Sequence, residues 1–131
     1  PFAPEVQSYP LDLVDILIVN QTEGLGLCPN VPLYHLTDKL ATICPRADIL
    51  LTLGSRGAVY RTPEDSLEVP AQRTKAVDTT GAGDTFIGYF LAGVTTKQEI
   101  ATCLELASKA AALCVARPGA MDSIPTRAKL T

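Results

Sequence analysis

Eight consecutive residues, Asp78-Thr79-Thr80-Gly81-Ala82-Gly83-Asp84-Thr85, set two glycines and a carboxylate directly ahead of an apolar run. Gly81 and Gly83 lack a Cβ, so the backbone there can turn sharply and aim the N–H groups around Gly81, Ala82 and Gly83 at one oxyanion. A helix expected to begin near Asp84 adds the positive end of its dipole, and phosphate is the natural guest. A carboxylate beside an anion hole is electrostatically awkward unless it handles a proton. Asp84 is placed to take one from a hydroxyl whose oxygen attacks a phosphoryl group. The same residues admit a purely structural use, since Asp is a common helix N-cap and Gly-x-Gly a common tight turn.

Regular elements must hold these residues in place. Val14 to Val19 is a short β-branched run of the kind found inside a parallel sheet with both faces covered. A Gly-rich connection through Gly24 and Gly26 follows, and then Leu33 to Cys44 carries Leu36, Leu40 and Ile43 at helical spacing, with Thr37-Asp38 as its start. Asp48 to Leu53 predicts a second buried strand. The turn Gly54-Ser55-Arg56-Gly57 leads into a third over Ala58 to Arg61, and Leu67-Glu68-Val69 alternates like an edge strand. Thr85 to Val94 predicts a helix stopped near Gly93, and Thr96-Lys97-Gln98-Glu99 has the pattern of a capping box that opens another. In that second helix Ile100, Cys103, Leu104, Ala107, Ala110, Ala111 and Cys114 form an apolar face, ended by Pro118-Gly119. The order of elements predicts an α/β layered fold with ligands near the strand ends.

Composition narrows the function classes. With 131 residues, 47% of them hydrophobic, the chain can build one core and has no room for two ordinary domains. A net charge of -3 and scattered Lys and Arg give no basic field for a polyanion, so nucleic acid is not an expected partner. No stretch is apolar for long enough to cross a bilayer, and Pro-Phe-Ala-Pro-Glu at the start has no signal-peptide features; a soluble, cytoplasmic protein is expected, with no membrane partner. Cys28, Cys44, Cys103 and Cys114 show no Cys-x-x-Cys spacing and, with His35 alone, make a poor zinc set; they are expected as reduced thiols. Because the chain opens on proline rather than methionine, it is expected to be a piece of something longer.

The longer string Ala76-Val77-Asp78-Thr79-Thr80-Gly81-Ala82-Gly83-Asp84-Thr85-Phe86 resembles the C-terminal signature of the ribokinase-like (PfkB) carbohydrate kinases. The resemblance runs over nearly the whole chain. The Pro-rich start, Leu13-Val14-Asp15, the Asn-x-x-Glu at Asn20 and the Ser123-Ile124-Pro125 tail are most similar to the ribokinase branch. It implies a layered fold with a central, mainly parallel sheet, of which residues 1–131 are the C-terminal, nucleotide-binding part. On this resemblance the N-terminal sugar-binding part and the lid, through which such kinases can form homodimers, are expected to be missing from residues 1–131. The implied activity is ATP-dependent phosphorylation of a sugar's primary hydroxyl, ribose first, with Asp84 as base. A fragment this size is expected to be inactive alone. A fructose or nucleoside kinase, and a non-catalytic nucleotide-binding or interaction module, remain alternatives.

The resemblance also assigns further residues. Asn20 and Glu23 match the motif that organises magnesium and the phosphates, and an amide oxygen and a carboxylate can hold a hydrated magnesium ion through its waters. Thr52, Leu53, Gly54, Ser55, Arg56 and Gly57 resemble the nucleotide-binding turn, and a plain hairpin turn can be true at the same time because the turn is what places the groups; Arg56 is a phosphate clamp or a solvated side chain. Asp78, Thr80, Cys114, Arg117, Gly119 and Ser123 match the segments of a monovalent-cation site, with potassium as the expected ion. Ser108 stands where the family often has a larger His or Asn near the adenine of ATP.

Overall fold

The structure, a computed structural model, describes residues 2–130, which fall into two compact units. One is built from the chain up to Gly54 together with Ala58–Glu68, the other from Ser55–Gly57 together with the chain from Val69 onward.

The first unit centres on a sheet of four strands in the order β1-β2-β3-β4: β1 (Ile16–Asn20), β2 (Asp48–Thr52), β3 (Ala58–Arg61) and β4 (Ser66–Val69), whose last residue is counted with the second unit. β1 and β2 run parallel, with Ile18 opposite Leu50, while β2 and β3 are antiparallel, with Leu50 opposite Tyr60. The α/β class expected from the element order is the one found. The strands present make a mixed sheet, because the short turn of residues 53–57 joins antiparallel neighbours whereas parallel strands need a long crossover. β4 takes the edge position that its alternating pattern implied.

Ile49, Leu50 and Leu51 are all buried, although successive strand residues point to opposite faces; this is why β2 is a continuous apolar run. Ile49 and Leu51 join Val19, Leu36 and Leu40 in one core cluster. Leu36 and Leu40 come from α2 (Leu36–Ile43), which starts a residue ahead of the Thr37-Asp38 signal and follows a 3-10 turn at Leu33–His35. Each such buried leucine or isoleucine contributes about 1.5–3 kcal/mol.

A helix occupies the place where a Gly-rich connection was expected: α1 (Gln21–Leu27). Two side chains start it. Asn20 Oδ1 accepts from the Glu23 N–H at 2.9 Å, and Glu23 Oε2 accepts from the Asn20 N–H at 2.9 Å, a capping box that offsets the helix-breaking tendency of glycine. The glycines serve packing: a Cβ at Gly24 would sit 3.0 Å from Leu36 Cδ2, and one at Gly26 would be 2.6 Å from the Phe2 ring.

The second unit is dominated by α3 (Ala82–Thr95) and α4 (Ile100–Val115), packed on each other. α3 starts three residues earlier than the pattern predicted, so Ala82, Gly83 and Asp84 form its first turn. Gly93 is not its stop. It lies inside the last turn, where a Cβ would be 2.5 Å from Cys103 Sγ of α4, so the missing side chain sets how closely the helices approach. The expected capping box at 96–99 does not form either. Thr96 Oγ1 back-bonds to the carbonyls of Ala92 (2.9 Å) and Gly93 (3.0 Å), and Glu99 precedes α4 without a side-chain cap. Lys97 is left-handed (φ 57°) and its N–H reaches Val94 O, while the Gln98 N–H reaches Gly93 O. That double bond pattern is a Schellman ending with lysine at the position glycine prefers.

The four cysteines are buried and unpaired, as expected. Burial pushes the Cys28, Cys44 and Cys103 thiols up, which leaves little reactive thiolate at neutral pH. Among the described residues no helix is long and apolar enough to cross a membrane, and no group of three or more His, Cys, Asp and Glu side chains is placed to hold a metal ion.

Candidate active site

The residues with most chemical promise lie where α3 begins. Its N-cap is Gly81 at φ 76°, a left-handed conformation costly for residues with a Cβ, and no side chain caps the helix. The first N–H groups of a helix lack intrahelical acceptors. Here the Ala82 N–H is turned to Thr79 O (3.2 Å), whereas those of Gly81, Gly83 and Asp84 have no hydrogen-bond acceptor among the described residues. Of the N–H groups expected to face an anion, those of Gly81 and Gly83 are open and that of Ala82 is engaged, while the Asp84 N–H is open as well. A Cβ at Gly83 would meet nothing within 4 Å beyond its own helix and chain neighbours, and Gly83 is itself exposed. Asp84 is exposed in the first turn rather than at the cap itself.

A second layer of contacts holds this loop. Asp78 Oδ1 accepts from the Thr80 N–H (2.9 Å) and Oδ2 from the Gly119 N–H (3.0 Å). The Thr80 hydroxyl and the backbone N–H groups of Thr80 and Gly119 hold the Asp78 carboxyl below the usual carboxylate range. The Val77 and Asp78 N–H groups both donate to Val115 O at the end of α4 (2.7 and 3.1 Å). The buried Cys114 thiol donates to Thr80 O (3.8 Å) and lies 3.1 Å from Ser123 Oγ, which in turn donates to Ala120 O at 2.7 Å. A Cβ at Gly81 would be 3.6 Å from Ala120 Cα. The Arg117 N–H bonds Cys114 O at 3.1 Å.

Asp78, Thr80, Cys114, Arg117, Gly119 and Ser123, 45 positions apart at the extremes, are thus brought together. Their donor set is a carboxylate, hydroxyls and backbone carbonyls. Oxygen ligands of this type suit a hard cation, and each bonded carbonyl retains a second lone pair.

The other expected site residues have local roles. Asn20 and Glu23 pair through the capping box, and both are exposed or partly so, which leaves the remaining carboxylate lone pairs accessible. Thr52 ends β2, Leu53 follows, and Gly54, Ser55 and Arg56 form a 3-10 turn. Gly54 is left-handed with open space around it, while Gly57 (φ 99°) is obligatory: a Cβ would lie 2.0 Å from Val69 O. Ser108 is buried, and its hydroxyl donates to Pro70 O at 3.4 Å. Tyr89 carried no signal in the sequence, yet its hydroxyl donates to Pro125 O at 2.6 Å. A tyrosine on a helix is indistinguishable from core packing until its partner is located.

Fold and site define a class: an α/β protein in which a helix N-terminus without a side-chain cap, entered through a glycine, leaves N–H donors open beside an exposed carboxylate. Comparison with known proteins identifies the lineage. Residues 1–127 match the pfkB family of carbohydrate kinases, and the chain belongs to that family. It is 40% identical over 111 residues to the ribokinase of Schizosaccharomyces pombe, an alignment covering 84% of this chain and 34% of that protein. The ribokinase of Lactococcus lactis is 36% identical over 115 residues, 88% of this chain and 37% of the relative. Among solved structures, Arabidopsis thaliana ribokinase complexed with ribose and ATP superposes with a TM-score of 0.84 at 32% identity, over 92% of this chain and 40% of that one. Cryptococcus neoformans ribokinase in complex with ADP gives 0.82 at 27%, over 98% and 48%. The chain therefore spans between a third and a half of the length of each of these four relatives.

Proposed function

We propose that these residues are the nucleotide-binding part of an ATP-dependent sugar kinase that phosphorylates a primary hydroxyl, with ribose as the substrate. The observation that carries this reading is the open start of α3, where free N–H groups and the exposed carboxylate of Asp84 share one helical turn. The names of the relatives, and the ribose and ATP held by the Arabidopsis enzyme, support ribose over fructose or a nucleoside.

In this proposal the N–H groups of Gly81, Gly83 and Asp84 neutralise charge that grows on the phosphoryl oxygens in the transition state. Asp84 accepts the proton of the sugar hydroxyl as its oxygen attacks. ATP would supply the phosphoryl group, and Asn20 and Glu23 would hold magnesium through its waters, where the ion would screen the phosphate charge. The turn of residues 52–57 offers backbone groups to the nucleotide, and Ser108 lies toward the base. Potassium would sit among Asp78, Ser123 and the backbone carbonyls of Thr80, Cys114, Arg117 and Gly119, fixing the loop that precedes α3. The sugar-binding residues and the lid are assigned to the remainder of the protein.

The test is ADP release by the whole protein with ribose, fructose, adenosine or water as acceptor, with and without potassium, for wild type and Asp84→Asn. Ribose-dependent release that falls by at least about 10²-fold in Asp84→Asn, with ATP binding retained, is expected for loss of a general base. Undiminished turnover in Asp84→Asn would remove the base from that carboxylate, and ATP binding without any acceptor-dependent turnover would favour a non-catalytic nucleotide-binding module.

A further inference from the structure

Tyr89 lies in the second turn of α3, five residues beyond Asp84, and its hydroxyl bonds to the carbonyl of Pro125, 36 positions along the chain. Pro125 is buried and belongs to no strand or helix, so its carbonyl has no ladder partner, and the Tyr89 hydroxyl supplies one. The segment that ends there, residues 117–125, leaves α4 and runs past the loop that opens α3. It is attached at three further points: the Arg117 N–H to Cys114 O, the Gly119 N–H to Asp78 Oδ2, and the fully buried Ser123 hydroxyl beside Cys114 Sγ.

These attachments close a mechanical circuit. Val115 O holds Val77 and Asp78; Asp78 holds Gly119; Ser123 and Pro125 anchor the end of the strap; and Tyr89 ties that end to α3, whose own first turn carries the open N–H groups. Without the last bond the end of the strap is held only through Ser123 beside Cys114 of α4, with Gly119 still bonded to Asp78, and the wall that Ala120 presents to Gly81 can drift relative to the helix start. We infer that Tyr89 is a positioning residue for the anion loop: its hydroxyl, by holding Pro125 O, keeps the strap of residues 117–125 registered against the N-terminus of α3. The functional part of this inference rests on the kinase proposal above; the mechanical part does not.

Tyr89→Phe removes the hydroxyl and keeps the ring, and Tyr34→Phe, at a tyrosine 78% exposed, is the control. Both are made in the whole protein. Hydrogen exchange of the Thr80 and Gly119 N–H groups, the two bonded to Asp78, is expected to quicken about fivefold in Tyr89→Phe, the worth of one net hydrogen bond, and to stay unchanged in the control. In the ribose-dependent assay the KM for ATP is expected to rise about fivefold at low potassium, with kcat at saturating ATP within about twofold and the KM restored by added potassium. Unchanged exchange at both N–H groups would overturn the inference. So would a lowered Tm with the KM for ATP unmoved, since a brace that only stabilises would do that. Should wild type bind ATP without turning over sugar, the kinase proposal fails, and the exchange rates with the Kd for ATP still decide the role of Tyr89.

Discussion

Gly93→Ala probes the contact that packs α3 on α4. A Cβ added there would lie 2.5 Å from Cys103 Sγ, 3.2 Å from its Cβ and 3.5 Å from its Cα. Cys103 is fully buried and its thiol already donates to Gln98 O at 3.7 Å, so displacing the sulfur would disturb that bond inside a packed interface. Forcing an extra methyl into a packed interior costs about 1–3 kcal/mol. Alanine recovers up to about 1 kcal/mol of helix propensity over glycine, less in a last turn. The net expectation is a destabilisation of about 1–2 kcal/mol. Cys103→Ala in the same background removes the obstructing sulfur and leaves only the tight 3.2 Å approach. The two substitutions should therefore couple favourably by about 1 kcal/mol, as contacting residues do. Urea midpoints and slopes for wild type, both single variants and the double variant complete the cycle. If Gly93→Ala is as stable as wild type, or the effects simply add, the glycine is not what sets the approach of the two helices.

Three other substitutions test the local chemistry. Lys97→Gly should raise stability by about 1 kcal/mol, because Lys97 holds φ 57° at the position where glycine pays no Cβ penalty; a lower urea midpoint would argue against the Schellman ending. Thr85 is buried with a hydroxyl that finds no partner among the described residues, so the near-isosteric Thr85→Val should stabilise by about 1 kcal/mol, whereas a loss would reveal a buried water bound to the hydroxyl. Asp78 has its carboxyl held below the ordinary value of 3.8, so its contribution is complete above about pH 4 and is lost as pH falls through the lower folded-state value. Stability measured from pH 6 down to pH 2 should accordingly fall more steeply in wild type than in Asp78→Asn, and parallel curves would contradict the bonding described.

Much of the fold follows from local pattern. The β-branched run before Asn20, the apolar stretch from Asp48 and the alternation after Ser66 each specify a strand because side-chain period and burial are linked within a few residues. The Gly-x-Gly-Asp segment likewise announced a helix start entered through a glycine, since backbone freedom is a local property. Where two local signals competed, the sequence misled. Gly24 and Gly26 suggested a loop, while Asn20 and Glu23 just ahead of them supplied the capping box that wins. Gly93 and Thr96 read as a stop and a start, but the contact with Cys103 and the back-bonding of Thr96 decide otherwise. Asp78 meeting Gly119, Cys114 meeting Ser123 and Tyr89 meeting Pro125 are decided only by tertiary structure. Backbone N–H and carbonyl groups are the same in every residue, so a site built from them has no side-chain signature until the chain has brought its distant segments together.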